Sequence, residues 1–170
     1  MRQFVPALVA ISLLALAGCD KVKEVAGVSE EVRFSPGRWE TKIKMTALEV
    51  PGMPPELKAA IDSKIGQEQT VFQCLTPEEA AKPSGKFFGA EANDQCSYEK
   101  FETAGGKIDA VMSCKGEKGI DKATINGTYT AETYTLAMAV DGAAGPTGPM
   151  SMKMAMNSRR VGDCDGSEER

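Results

Sequence analysis

The chain contains no histidine. That absence removes the commonest general base, any Ser-His-Asp triad and any imidazole-bound metal. No C-x-x-C pair occurs among the five cysteines, so the spacing of a zinc or copper thiolate site is missing too. No glycine-rich phosphate loop follows a strand pattern. No repeated βαβ spacing is visible, which argues against a parallel sheet. Basic excess is lacking as well: 20 Lys and Arg stand against 24 Asp and Glu, a net charge of −4. Mild acidity argues against nucleic acid as a partner and against electrostatic binding to anionic lipid. The 24 acids are an ordinary surface complement, and no pair among them stands out as catalytic. We therefore expect no enzyme, no catalytic residue, no metal site and no cofactor.

What is present begins with the leader. Arg2 is followed by residues 4–16, which are apolar apart from Pro6 and Ser12. This run is too short to remain as a membrane span, which needs about 20 apolar residues. It has the form of a secretory signal. Leu16-Ala17-Gly18-Cys19 follows directly and resembles a bacterial lipobox. That resemblance implies diacylglycerol on the Cys19 thiol, cleavage between Gly18 and Cys19, and acylation of the new amino group. A single acyl chain binds membranes marginally, whereas two or more hold firmly. The expected mature protein is a membrane lipoprotein facing the periplasm. Asp20 resembles an inner-membrane retention signal. Residues 1–18 are then signal peptide, 19–33 a lipidated tether, 34–164 one β-rich domain and 165–170 a disordered tail. Without its leader the chain carries a net charge of −5, because residues 1–18 hold Arg2 and no acid.

With Cys19 lipidated, four cysteines remain in an exported chain, an even number that reads as two disulfides. Three pairings are open. Residues 96–102 and 108–114 flank a turn signal, Thr103-Ala104-Gly105-Gly106-Lys107. A hairpin folded there sets Cys96 opposite Cys114 and Tyr98 opposite Met112. Opposed Cβ atoms lie about 4.5–5.5 Å apart, slightly long for a disulfide, so bridging requires a twisted, non-hydrogen-bonded pair. Cys96–Cys114 is the favoured link, leaving Cys74–Cys164 to pin the C-terminal tail.

From Arg38 the chain alternates. Trp39, Thr41, Ile43 and Met45 point one way and Arg38, Glu40, Lys42, Lys44 and Thr46 the other, as in a half-buried strand. Residues 56–65 read as a short helix with Leu57, Ile61 and Ile65 on one face, stopped by Gly66. Residues 69–75 form a second strand. Thr76-Pro77-Glu78-Glu79 is a capping box that opens a short second helix. Candidate strands then run 95–103, 107–115, 120–130, 133–141 and 150–160, with Asn126-Gly127 read as strand interior. The fold expected is mainly β with minor α: a curved antiparallel meander of about seven strands, half-barrel or barrel-like, with one or two short covering helices. The helix bearing Leu57, Ile61 and Ile65 is the expected cover.

Met150, Met152, Met154 and Met156 lie two apart and share one strand face; Met45, Met112 and Met138 occupy inward positions elsewhere. The row reads first as core. The functional alternative is an adaptable apolar face for a ligand or partner, together with Leu57, Ile61 and Ile65. Thioethers also suit Cu(I). Same-face neighbours along one strand are about 6.6 Å apart, however, which favours a ladder of weak sites over one tight site.

Several segments together resemble the bacterial domain-of-unknown-function 3617 family of exported proteins and lipoproteins. They are Pro36-Gly37-Arg38-Trp39-Glu40, Cys74-Leu75-Thr76-Pro77-Glu78-Glu79-Ala80, Cys96, Cys114, Gly127-Thr128-Tyr129 and Arg159-Arg160-Val161-Gly162-Asp163-Cys164. The resemblance covers about residues 34–164. It implies a small exported β-rich domain with disulfides and brings no substrate, catalytic residue or cofactor. Trp39 reads as core after a turn. Arg159 and Arg160 read as sheet-edge charges that form salt bridges. The function expected is a lipid-anchored envelope protein, non-enzymatic, serving as a binding or structural module for another envelope protein. The alternative is a carrier of a lipid or other apolar ligand.

Overall fold

The computed structural model describes residues 32–115, 119–143 and 148–168. The segments expected to be a leader and a lipobox, with Gly18, Cys19 and Asp20, lie outside the described residues. Seven strands are present: β1 (Gly37–Glu49), β2 (Glu68–Leu75), β3 (Cys96–Ala104), β4 (Lys107–Cys114), β5 (Gly119–Tyr129), β6 (Thr133–Ala143) and β7 (Pro149–Gly162). Two helices, α1 (Pro55–Asp62) and α2 (Pro77–Ala81), and a 3-10 turn (Gly85–Phe88) complete the described elements. The strands form one antiparallel sheet in the order β2-β1-β7-β6-β5-β4-β3. Strands β2 and β3 are its two edges, so the sheet is open and not a closed barrel. Strands β3 to β7 form a meander. The first two strands then add on beyond the last.

This order decides which segment covers the core. Strands β1 and β2 are neighbours, so the loop between them, with α1 in it, stays at one end of the sheet. Strands β2 and β3 are opposite edges, so residues 76–95 must travel across the whole sheet. That crossing carries α2 and the 3-10 turn, and it buries Ala80, Phe87, Phe88 and Ala90. Phe34, ahead of β1, joins them. Its ring packs at 4.7 Å from Tyr129, 5.3 Å from Phe87 and 5.6 Å from Trp39. Beneath lie Trp39, fully buried, and Tyr134, their rings stacked at 6.0 Å. Aromatic pairs in these geometries add about 0.5–1.5 kcal/mol each beyond area burial.

The expected cover is therefore corrected. Helix α1 has no buried residue, and Leu57 is 50% exposed. Ile61 and Ile65 are only partly buried. Of the expected tail, residues 165–168 are hydrogen-bonded to one another and ion-paired to Arg38 on the sheet, and 169–170 lie outside the described residues. Val32, assigned to the tether, packs against the core. Arg159 and Arg160 do not guard an edge, because β7 is interior to the sheet.

Two bulges keep the apolar residues on one face. A register shift between Met45 and Ala47 reverses the parity of β1, so Leu48 faces Met152 as Met45 faces Met154. In the β3–β4 hairpin, Cys96, Ser97 and Tyr98 pair with Cys114, Ser113 and Met112 in the register the sequence suggests. The pairing then slips by one between Tyr98 and Lys100. The slip puts Phe101 beside Tyr98, ring to ring at 4.9 Å. It also shortens the turn to Gly105-Gly106, both at positive φ, as a two-residue hairpin of the type I′ class requires. Asn126-Gly127 lies inside β5. A Cβ at Gly127 would overlap the Thr135 carbonyl on β6, which explains glycine in mid-strand.

The difference between the two candidate covers is measurable. Phe88→Ala, in the crossing segment, is expected to lower unfolding free energy by about 3–5 kcal/mol. Leu57→Ala, on α1, should change it by less than about 0.5 kcal/mol. Urea unfolding of both variants checks this, and equal losses would mean that α1 carries core contacts after all.

Candidate functional site

Three regions hold the residues that sequence reasoning picked out. The first is the inner face of β7 and its neighbours. Register places Met154 directly between Met45 on β1 and Met138 on β6. Met152 lies between Leu48 and Val140, and Met156 between Ile43 and Leu136. Met156 and Met138 are buried, while Met45, Met150, Met152 and Met154 are partly exposed. Burial thus falls along β7 away from the aromatic cover. The face is filled at the Trp39 end and open to solvent at the Met150 end. The structure brings the four β7 methionines together with Met45 and Met138. It does not bring Leu57 and its helix into the core with them.

The second region is the outer face of β1 and β2, where the tail returns. Cys74 is joined to Cys164 here, and Cys96 to Cys114 at the opposite edge of the sheet, between β3 and β4. Cys96 and Cys114 form a non-hydrogen-bonded pair with Cα atoms 4.0 Å apart. The Cys96 backbone bonds to Asn93 instead, and the flanking Lys115 N–H donates to the Gln95 carbonyl. The Cys74–Cys164 cross-link closes a loop of about ninety residues and contributes about 4.6 kcal/mol in the chain-entropy model. Beyond Cys164, Arg38 Nη1 donates to Asp165 at 2.6 Å, and its Nε stands 3.6 Å from Glu168 as an ion pair without a hydrogen bond. The guanidinium also lies 4.4 Å over the Phe72 ring. Glu168 accepts the N–H groups of Asp165 and Gly166. Arg160 donates to the Pro36 carbonyl and to Asp163, and Arg159 pairs with Glu40.

The third region is the crossing segment itself. A cleft of about 340 Å³ lies between the end of β2 and the 3-10 turn, lined by Gln73, Leu75, Thr76, Ser84, Lys86 and Phe87 among others. On the far side of the crossing, another of about 510 Å³ is lined by Lys82, Pro83, Glu91, Tyr98 and Phe101. Gln73 Oε1 is buried without a hydrogen-bond partner among the described residues. Thr76 and Glu79 complete the capping box of α2, with the Thr76 N–H donating to Glu79 Oε2 at 3.0 Å and the Glu79 N–H to Thr76 Oγ1 at 3.2 Å. Their chemistry is thereby committed to the helix start.

One buried polar group could be mistaken for reactive chemistry. Thr41 Oγ1 lies 3.1 Å from the Tyr134 hydroxyl and 2.8 Å from Ser158 Oγ, which donates to the Glu40 carbonyl at 3.2 Å. The donors can run in one line from Tyr134 to Thr41 to Ser158 to the carbonyl. Every hydroxyl is then satisfied and none has a base beside it. Burial pushes the Tyr134 hydroxyl above its ordinary pKa. Among the described residues no cluster of three or more Cys, Asp or Glu is placed to hold a metal ion. No described helix is long and apolar enough to cross a membrane.

The fold and these regions define a disulfide-pinned, open seven-stranded antiparallel sheet with one covered face. A family model matches residues 34–164, and its description is a protein of unknown function, DUF3617. The chain belongs to that family. No curated protein and no solved structure matches it.

The tail contacts have a pH signature. Hydrogen bonds from Ser167, with Arg38 nearby, hold the Asp165 carboxyl below its usual range. Hydrogen bonds from the Asp165 and Gly166 N–H groups do the same for Glu168. Folded-state values below ordinary ones of about 4 mean that the contact is favourable above that range and is lost as pH falls through the lowered values. Backbone amide resonances of Gly166 and Ser167, followed by NMR from neutral to strongly acidic pH, should move only on the acid side of about pH 4. Arg38→Gln should move that transition to higher pH. Release near neutrality in the wild type would contradict the assignment.

Proposed function

We propose that this protein is a lipid-anchored module of the bacterial envelope that faces the periplasm and binds a partner protein without catalysing a reaction. The leader, the Leu16-Ala17-Gly18-Cys19 motif and an even count of remaining cysteines support the location. The carrying observation for binding is the graded exposure of the inner face. Its Trp39 end is packed with aromatic rings, and its Met150 end leaves flexible thioether side chains partly open to solvent. Such surfaces adapt to varied apolar partners. The wild-type chain should partition into detergent, and Cys19→Ser should abolish this. A photo-crosslinking residue at Leu48, beside Met152, should give a discrete adduct in native membranes, while one at Lys42 on the outer face should not. A soluble mature form beginning elsewhere than Cys19 overturns the anchor, and absence of any adduct from position 48 overturns the binding surface.

A second reading, a carrier of a lipid or other apolar molecule, draws on the clefts beside the crossing segment, where Leu75 and Phe87 provide an apolar floor. Native mass spectrometry of protein taken from membranes should then show added mass, and a consistently empty protein rules the carrier out.

A further inference from the structure

Spacing along β7 alone disfavours a tight metal site, because same-face methionines on one strand stand about 6.6 Å apart. The sheet register changes that count. Met45, Met154 and Met138 are direct cross-strand partners on three adjacent strands, β1, β7 and β6. Directly opposed Cβ atoms lie about 4.5–5.5 Å apart. Each methionine has three rotatable bonds and a sulfur two bonds beyond Cβ. The two outer side chains need only lean toward the middle one for three thioethers to surround a single ion. Met45 and Met154 are partly exposed, so the ion has a way in, and Met138 is buried beside Met154 on the same face. Competing ligands are few: the chain has no histidine, and Cys74, Cys96, Cys114 and Cys164 are all in disulfides. Soft thioethers without imidazole or thiolate select a soft monovalent ion over Zn²⁺, Mg²⁺ or Ca²⁺.

We propose that Met45, Met154 and Met138 form a three-thioether site for Cu(I) on the inner face of the sheet. The proposal rests on the reading of that face as a binding surface and names an occupant for it. The remaining methionines have different surroundings. Met152 faces Leu48 and Val140, and Met150 faces Gly142, so neither has a second thioether directly opposite.

The test uses the full chain carrying Cys19→Ser, so that every sulfur outside the disulfides is a thioether. Cu(I) is supplied from bicinchoninate, with ascorbate as reductant so that the disulfides persist. The chain should withdraw one Cu(I) from the chelator. Even the outer partners of metal ligands are worth about 10–100-fold in affinity, so Met154→Leu and Met45→Leu should each weaken binding at least that much. Met53→Leu, in the β1–β2 loop, should bind as the parent does. Leucine keeps the volume of methionine, and circular dichroism of each variant verifies the fold. If the parent takes no copper, or if either core variant binds as tightly as the parent, the site does not exist. Persistence of the adduct from position 48 alongside that failure would remove only the ion; loss of both would remove the binding surface as well.

Discussion

The fold depends on one crossing. Strands β2 and β3 are opposite edges of a seven-stranded sheet, and twenty residues must join them. A path over one face is the only one that also shields that face from water. The crossing therefore becomes the second layer of a fold that has too little helix to supply one. It is held by rings: Phe87 and Phe88 from above, Phe34 from the side, and Trp39, Tyr129 and Tyr134 from below. Hydrophobic burial is roughly proportional to area. The densest aromatic packing thus fixes where the sheet is closed off and, by default, where it stays open.

The strands were legible where a period of two sets apolar residues on one side and polar or charged ones on the other, as in β1 and β4. The β1 residues Trp39 to Met45 alternate without a break, and the capping box at Thr76 names its own helix start. The cover was not legible for a topological reason. An amphipathic pattern at Leu57, Ile61 and Ile65 says that a helix has an apolar side. It does not say that the strands on either side are neighbours, which confines the helix to the end of the sheet. The residues that do cover the core, Phe87 and Phe88, sit in a short 3-10 turn with no helical or strand period to announce them.

Register was half legible for a similar reason. Matching Cys96 to Cys114 places Tyr98 correctly, but the bulge at Glu99 is invisible in a simple alternation because it skips one residue and resumes. The same holds at Thr46, where a skipped residue turns Leu48 inward. The methionine row was visible as spacing on β7. Its cross-strand partners Met45 and Met138 could be placed only once the neighbours of β7 were known. Residues 165–168 are held because Arg38 presents one guanidinium to both Asp165 and Glu168 beside the Cys74–Cys164 link, a contact that no sequence period announces.

The position of β7 has a consequence for how the molecule comes together. In strand pairing it alone links the β1–β2 pair to the meander of β3 to β6, and its contacts with β1 span more than a hundred residues of sequence. Pairings of such separation make for slow folding, because loop closure precedes its reward. A nascent chain short of residue 149 holds two unfinished half-sheets with bare strand edges. The final strand is the keystone, and until it arrives the partial chain is a natural client for holding chaperones.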